Sequence, residues 1–213
     1  MLTLYYCPGA CSTASHIAIE ETGTSYQAFL VALAKGEQKS ETYLAINPRG
    51  RVPALKLDDG SVITENTAIL AYLARRFAAK NLLPTDIGEE ARCIATMAWF
   101  SNTVHPSFTH INRPERFADD TNAHPAIRET GRKNFWTNLQ EIDRLLIGRP
   151  WLQGSQFTVC DAYAMVFYSW GDRIQLPMSE LANYAGWKDR MVERPAVRRV
   201  LAREDSALLR VTT

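Results

Sequence analysis

LTLYYCPGACS, residues 2–12, is the stretch of sequence that decides the fold. Its first five residues are apolar or aromatic and predict a β-strand over 2–6. A Pro-Gly pair then predicts a turn, after which small and apolar residues recur at helical spacing over 12–22. Gly23 stands where such a helix would end. The pattern predicts a strand that turns directly into a helix, which is the start of an α/β unit.

Strand and helix signals continue to residue 80. Strands are predicted at 26–31 and 52–57. The Asp-Asp-Gly turn at 58–60 predicts a tight hairpin into a further strand at 61–63, because Asp-Gly readily adopts the positive φ that hairpins require. Glu65 then opens a helix. Its inward-facing residues are predicted to be Ala68, Ile69, Leu70, Tyr72 and Leu73.

The remainder of the chain shows only helical periodicity. The predicted helices cover 89–105, ending near Pro106, 125–146 and 159–171, with shorter ones after Ser179 and Pro195. We therefore predict an α/β domain over 1–80, a linker over 81–87 and an all-helical domain over 88–213.

The composition is that of an ordinary globular protein and argues against several classes. Of the 213 residues, 46% are hydrophobic, which argues against disorder. The formal net charge is +1, so the bulk charge offers no attraction to nucleic acid or to an anionic membrane. No apolar run approaches the ~20 residues of a membrane span, and the N-terminus does not have the pattern of a signal peptide. With only 4 cysteines, we expect a cytoplasmic protein with reduced thiols and without nucleic-acid or membrane partners.

Cys11 lies at the predicted start of the first helix. The unpaired amides and the dipole at a helix start favour an anion, so they can lower a cysteine pKa from ~8.5 and yield a reactive thiolate. The alternative is a small buried residue that closes the turn. Cys7 and Cys11 are separated by three residues, which is not the Cys-x-x-Cys spacing of a redox pair. Together with His16 they lack an evident fourth metal ligand, so we predict no metal site and a packed Cys7.

Two further positions suit peptide or anion binding. If the bond before Pro53 is cis, the Val52 amide and carbonyl turn outward as peptide-binding groups, although a trans proline is commoner. Glu65 and Asn66 begin a helix, where the free amides and the Asn66 side chain suit a carboxylate and Glu65 suits an ammonium group. The alternative for this pair is a simple helix cap.

Two positions in the helical half have less specific signals. Thr158 and Asp161 have the spacing of a capping box and are interpreted as structural. His105 precedes Pro106, and a helix disturbed by proline frees carbonyl groups that suit the wall of a site.

Taken together, these segments resemble the bacterial beta-class glutathione S-transferases. The resemblance rests on Pro-Gly-Ala-Cys-Ser at 8–12 and Val-Pro-Ala-Leu at 52–55, with similar segments at 157–163 and 194–197, and it spans essentially the whole chain. It implies a thioredoxin-like N-terminal domain, an all-helical C-terminal domain, a cytoplasmic homodimer and a role in detoxification. It also implies a glutathione site on the first domain and a hydrophobic site between the domains.

The resemblance also implies roles for individual residues. Cys11 would face the glutathione sulfur and, with His105, form the catalytic pair. Val52 would pair with the cysteinyl backbone of glutathione and precede the cis-proline Pro53. The implied glutathione-binding residues are Cys11, Lys35, Val52, Glu65, Asn66, Asn102, Thr103 and His105.

The charged groups of the tripeptide are assigned in the same way. Lys35 would meet the glycyl carboxylate, and Glu65 with Asn66 would hold the γ-glutamyl end. Three positions depart from the family: Asn66 stands where serine is commoner, Cys7 where serine or lysine is usual, and Ala98 where the family has an asparagine. The additional thiol of Cys7 favours redox behaviour.

The predicted function is conjugation of reduced glutathione to small hydrophobic electrophiles, with glutathione as co-substrate and no other cofactor. Helix-start amides can stabilise the required thiolate without a general base. Two alternatives stay open: a glutathione-dependent thiol–disulfide oxidoreductase with Cys11 as nucleophile, and a non-catalytic glutathione-binding protein of the same fold. Four aromatic residues are candidates for the electrophile side of the site: Trp99, Phe100, Phe108 and Phe117. A role in the core is the alternative for each of them, and it is strongest for Trp99.

Overall fold

The computed structural model describes residues 1–209, so residues 210–213 of the predicted helical domain lie outside the described residues. The elements of the first part are β1 (Leu2–Tyr6), α1 (Ser12–Thr22), β2 (Tyr26–Leu30), α2 (Glu41–Leu44), β3 (Ala54–Lys56), β4 (Val62–Thr64) and α3 (Asn66–Arg76). Those of the second part are α4 (Ile87–Trp99), a π-helical segment (Phe100–Val104), α5 (His105–Asn112), α6 (His124–Leu145), α7 (Val159–Arg173), α8 (Ala182–Glu193) and α9 (Pro195–Arg203).

The strands form one sheet in the order β2-β1-β3-β4. β1 pairs in parallel with β2, and α1 supplies the crossover that a parallel pair requires. β3 pairs antiparallel with both β1 and β4, so Leu4 lies between Ala28 and Leu55. This is the mixed sheet of a thioredoxin-like domain, and the predicted α/β unit is confirmed.

The two faces of the sheet are covered differently. On one face Leu4 and Leu55 join Ile17 of α1 and Ile69 of α3 in the main hydrophobic core. On the other face a smaller cluster forms around Tyr43 of the short helix α2, whose ring meets that of Tyr5 edge-on with centroids 5.9 Å apart. The face that packs against α1 and α3 therefore joins the sheet to the helical half, because the main hydrophobic core continues into α7.

The local signals located each strand but placed its ends imperfectly. The strands predicted at 26–31, 52–57 and 61–63 are Tyr26–Leu30, Ala54–Lys56 and Val62–Thr64. Of the residues predicted to face inward on α3, Ile69, Leu70 and Leu73 are buried and Tyr72 is partly buried. The prediction is wrong for Ala68, which is exposed because α3 presents only a narrow stripe to the sheet.

The predicted end of a helix near Pro106 is also wrong. Instead, α4 passes through the π-helical segment Phe100–Val104 into α5, in which Pro106 is the second residue. Proline lacks an N–H donor, and its ring crowds the preceding turn of an α-helix. The wider π turn relieves this crowding, and the His105 N–H donates to the Phe100 carbonyl five residues earlier.

α7 is the central helix of the second part and is buried along almost its whole length. It starts with the capping box of Thr158 and Asp161, in which the Thr158 N–H donates to Asp161 Oδ2 at 2.8 Å. Asp161 Oδ1 also accepts from the Leu152 N–H at 3.0 Å and from Trp187 Nε1 at 2.9 Å. The buried carboxylate therefore joins the start of α7 to the preceding loop and to α8.

A buried carboxylate also joins the two halves of the chain. Glu204, just after α9, accepts hydrogen bonds from the Gly9 N–H at 3.1 Å and the Thr13 hydroxyl at 2.6 Å. Its other oxygen lies 2.7 Å from Nδ1 of the fully buried His16. The loop and helix that follow β1 are thus attached to the end of the chain that the structure describes.

Gly131 of α6 lies where α6 packs closely against α5. An added Cβ would lie 2.6 Å from His110 Cβ and 3.0 Å from the Ser107 carbonyl oxygen of α5. We expect Gly131→Ala to lower the free energy of unfolding by about 2 kcal/mol through overpacking. Gly186→Ala is the matched control in α8, where the nearest atom to an added Cβ is the end of the Arg190 side chain at 3.8 Å. That variant should gain up to about 1 kcal/mol, since alanine favours helix over glycine. Urea unfolding checks both; equal effects would contradict the close packing at Gly131.

Candidate functional site

Three separate segments meet at Cys11, the residue before α1. Its Sγ lies 3.3 Å from the Val52 carbonyl oxygen, to which the thiol donates. Its own carbonyl oxygen accepts from Asn66 Nδ2 at 2.9 Å. The thiol at the end of the β1–α1 loop is thus bordered by the start of β3 and by the start of α3.

The predicted lowering of the Cys11 pKa is wrong. The pKa of this thiol is raised to about 12, mainly by burial and in part by Glu65, while the Cys11 and Ser12 amides and Arg51 only partly oppose the shift. The prediction considered the helix start alone, whereas desolvation disfavours a thiolate more strongly than the amides favour it. At neutral pH Cys11 is a protonated thiol and therefore a hydrogen-bond donor.

The Val52–Pro53 peptide bond is cis, the less common of the two alternatives. Arg51, the residue before this pair, is held in place because its carbonyl oxygen accepts from the Tyr43 hydroxyl and from Asn47 Nδ2, both at 2.7 Å. These two hydrogen bonds, together with the thiol of Cys11 on the Val52 carbonyl, fix an extended stretch of backbone at the edge of the site. Such a stretch suits backbone pairing with a short peptide.

Glu65 has a backbone conformation that the sequence did not signal. It has φ 70° and ψ 127°, a region that non-glycine residues rarely adopt, and its side chain is exposed. Conformations of this kind cost about 1–3 kcal/mol and persist where the surrounding structure requires them, often at ligand sites. The simple helix-cap alternative does not account for this strain, because an N-cap residue normally has an extended backbone.

Asn66 differs from its prediction. Its Oδ1 accepts from the Ser15 hydroxyl at 2.7 Å, and its Nδ2 donates to the Cys11 carbonyl. The side chain is buried and committed to the fold, where it ties α3 to α1. What Asn66 offers a ligand is therefore its backbone N–H in the first turn of α3, rather than its side-chain amide.

His105 lies close to the same site. Burial lowers its pKa to about 4, and the positive charges of Arg51 and Arg116 add to that effect. Its ring meets Trp170 edge-on with centroids 4.9 Å apart. His105 is therefore neutral at neutral pH and lies within the field of two arginines. Arg51 directly precedes the Val-Pro-Ala-Leu segment but had no predicted role, and Arg116 had no sequence signal.

The other predicted ligand residues are exposed and make few contacts. Lys35 ends a 3₁₀ turn, Leu33–Lys35, and its side chain forms no hydrogen bond or ion pair within residues 1–209. Asn102 and Thr103 are exposed on the π-helical segment, where Asn102 Oδ1 accepts weakly from Ser101 at 3.3 Å. The structure leaves all three side chains accessible to a ligand but does not bring them into contact with Cys11.

The predicted aromatic residues do not form a site. Phe100 and Phe108 are buried core residues, whereas Trp99, for which a core role was favoured most, is only partly buried. Phe117 is 46% exposed and stacks on His110. The side chains of all four therefore leave the electrophile side to other residues.

A cleft of about 280 Å³ lies beside the loop that carries Cys11. Pro8, Gly9 and Ala10 form one wall, and Trp170 and Arg173 of α7 lie on the other. Sequence reasoning missed both α7 residues, because their position opposite the loop depends on the packing of α1 against α7.

The other three cysteines lie away from the thiol of Cys11. Cys93 and Cys160 are fully buried, with their sulfurs 3.1 Å apart, and Cys7 is partly buried against the smaller cluster. Within residues 1–209 no three His, Cys, Asp or Glu side chains are grouped so that they could hold a metal ion. No helix in the same range is long and apolar enough to cross a membrane.

Comparisons with known proteins agree with this geometry. Residues 1–75 match the family model for the glutathione S-transferase N-terminal domain. The chain is 34% identical to glutathione S-transferase GstA of Escherichia coli O157:H7 over 205 residues, covering 95% of this chain and 98% of the relative.

Solved structures give the same result over the full fold. A glutathione transferase homologue from Sulfitobacter, solved with bound glutathione, has a TM-score of 0.91 at 32% identity, covering 95% of this chain and 98% of that chain. A bacterial beta-class glutathione S-transferase from Sphingomonas chungbukensis has a TM-score of 0.84 at 32% identity with the same coverage.

The neutral His105 makes a testable contribution to stability. Its pKa of about 4 in the folded protein lies below the ordinary 6.5, so between these pH values His105 is protonated in the unfolded chain and neutral in the folded one. The free energy of unfolding should therefore fall as pH is lowered through this window, by up to about 3 kcal/mol from this residue. His105→Asn should flatten that part of the pH dependence in urea unfolding between about pH 7 and pH 4. His124→Gln is the control outside the site, and an unchanged profile for His105→Asn would contradict the assignment.

Proposed function

This chain belongs to the glutathione S-transferase family and is an enzyme that conjugates reduced glutathione; we propose that its electrophiles are small and hydrophobic and that the tripeptide lies along Val52. The observation that carries the proposal is that the Cys11 thiol, the cis Val52–Pro53 bond and the strained Glu65 backbone lie together at one end of the strands of the sheet. Together they offer a sulfur, a stretch of backbone and a charged group, which are the features that a cysteine-containing tripeptide requires.

Each charged group of glutathione has a matching group in the chain. The exposed Glu65 carboxylate suits the γ-glutamyl ammonium, and the Asn66 N–H at the start of α3 suits the neighbouring carboxylate. Lys35, exposed and without an ion pair in residues 1–209, suits the glycyl carboxylate. The contacts of Asn102, Thr103 and His105 with the ligand stay a proposal from the resemblance.

The protonated Cys11 has a defined task in this reaction. Its S–H, which donates to the Val52 carbonyl, is in a position to donate instead to the glutathione sulfur. A hydrogen bond to the thiolate lowers the pKa of the glutathione thiol, and each unit corresponds to about 1.4 kcal/mol. The start of α1 and the positive charge of Arg51 act in the same direction.

The transfer itself needs little else from the protein. The glutathione thiol loses its proton to solvent, and the thiolate attacks the electrophilic carbon. With an aryl chloride the carbon–sulfur bond forms, the carbon–chlorine bond breaks, and chloride leaves with the bonding electron pair. The neutral His105, beside Trp170, is suited to positioning a substrate or water molecule through hydrogen bonds, since it carries no charge at neutral pH.

The electrophile has a natural place in the cleft beside the β1–α1 loop. Ala10 and Thr13 flank Cys11 in the chain and line this cleft, so an electrophile there would approach the glutathione sulfur. Its volume of about 280 Å³ suits a small molecule.

The two alternative functions are less consistent with the site. An oxidoreductase with Cys11 as nucleophile needs a thiolate, whereas burial raises the pKa of Cys11 to about 12. A non-catalytic glutathione-binding protein would need Glu65 and the cis-proline but not the Cys11 thiol, and this chain has all three.

Several wider properties follow from family membership as proposals. We propose a cytoplasmic homodimer with a role in detoxification, with glutathione as co-substrate and without another cofactor, nucleic-acid partner or membrane partner. We also propose residues 81–87, which end at the first residue of α4, as the linker between a domain over 1–80 and a helical domain from 88 onward.

Glutathione calorimetry on wild type, Cys11→Ser and Glu65→Gln tests the proposal. Wild type should bind in the micromolar-to-millimolar range, and Glu65→Gln should bind at least about tenfold more weakly because an ion-paired hydrogen bond is lost. Conjugation of 1-chloro-2,4-dinitrobenzene should persist in Cys11→Ser within about tenfold, since a hydroxyl also donates a hydrogen bond.

Cys7→Ser is the matched control, a thiol four residues away that the proposed reaction does not use. If Cys11→Ser abolished turnover of a disulfide substrate while Cys7→Ser kept it, the oxidoreductase alternative would replace transfer. A folded wild-type protein that bound no glutathione would contradict the proposed function.

A further inference from the structure

The cleft beside the β1–α1 loop is mainly apolar but contains one arginine. Its apolar lining comes from both halves of the chain: Pro8, Ala10, Met165, Val166, Leu201 and Leu208. Arg173, the last residue of α7, borders the same space. Arg173 is exposed, so its guanidinium is accessible to a ligand that enters the cleft.

The Arg173 guanidinium is held in a defined place. Its Nη1 donates to the Gly9 carbonyl oxygen at 3.2 Å, and its central carbon lies 5.4 Å from the centroid of the Phe108 ring. Trp170 Nε1 donates to the same carbonyl at 2.9 Å. One N–H of the guanidinium is thus used to hold the side chain against the loop, and the guanidinium has four others.

The charge of Arg173 has no partner of opposite sign within residues 1–209. Burial alone lowers its pKa, and no carboxylate among these residues lies within ion-pair distance. Two acidic residues of the cleft do not pair with Arg173. Glu204 accepts from Gly9, Thr13 and His16, and the exposed Asp172 forms no ion pair with Arg173. Asp205 also borders the cleft and has an interaction of its own.

We infer that Arg173 binds an anionic group of the electrophile, so that the preferred co-substrates are apolar molecules that carry a carboxylate. The inference rests on the proposed function, because it assigns the electrophile to this cleft. Four free N–H groups arranged in a plane match the two oxygens of a carboxylate. The apolar walls would contact the rest of the molecule and keep its reactive carbon near Ala10 and the neighbouring thiol.

Two electrophiles that share the same ring, nitro groups and leaving group, one anionic and one neutral, test the inference. 4-Chloro-3,5-dinitrobenzoate and its methyl ester react with glutathione by the same displacement of chloride. The quantity measured is the ratio of kcat/KM for the acid to kcat/KM for the ester. In wild type the acid should be favoured, and Arg173→Gln should lower the ratio by about tenfold, the size of one charge-assisted hydrogen bond. Arg173→Lys, which keeps the charge, should retain part of the preference.

Arg132→Gln is the matched control. Arg132 also donates to a backbone carbonyl, that of Ile174 at 3.1 Å, but it does not line the cleft. Its replacement should leave the ratio at the wild-type value. If Arg173→Gln lowered kcat/KM for acid and ester by the same factor, Arg173 would act only through the Gly9 carbonyl and the inference would be overturned.

A binding measurement separates this inference from the proposed function. The unreactive 3,5-dinitrobenzoate and its methyl ester are titrated into wild type and Arg173→Gln by calorimetry, with S-methylglutathione present. About tenfold tighter binding of the acid to wild type than to Arg173→Gln supports the inference, even where neither electrophile is turned over. Absence of turnover would count only against the proposed conjugation. Equal binding of the acid to both proteins overturns it.

Discussion

The backbone of Gly9 is the point on which the arrangement of the site depends. Its N–H donates to the buried carboxylate of Glu204, and its carbonyl accepts from Trp170 and Arg173. All three partners belong to the helical half of the chain, so the loop that ends at Cys11 is oriented from outside its own sheet. Gly9 has φ 66°, a conformation that glycine adopts without strain, and this lets its N–H and its C=O, which belong to two successive peptide groups, both face the helical half.

The electrostatics of the site follow from this enclosure. Burial keeps the two central titratable groups uncharged at neutral pH, Cys11 as a thiol and His105 as a neutral imidazole. The charges that remain nearby are those of Arg51 and Arg116, together with the exposed Glu65. A glutathione thiolate placed here would therefore meet donors and positive charge rather than a competing thiolate, which is the condition that favours its ionisation.

The sequence predicted what local patterns determine and missed what distant contacts determine. The strand-turn-helix over 2–22, the Asp-Gly hairpin and the Thr158–Asp161 cap depend on neighbouring residues and were located correctly. The candidate residues Cys11 and Val52 do lie together. The pKa of Cys11, the commitment of the Asn66 side chain and the place of Arg173 depend on segments far apart in the chain, so their local patterns carried no signal.

The Asn66 side chain has a consequence for ligand binding as a whole. It joins α3 to both Ser15 and the Cys11 carbonyl, so the helix start that would receive the γ-glutamyl end and the helix start beside the sulfur form one rigid frame. The span between these two subsites is set when the chain folds, before any ligand arrives. The conformational entropy of fixing that distance is therefore lost on folding rather than on binding, and the frame discriminates between peptides by the length of the arm that joins their charged end to their sulfur.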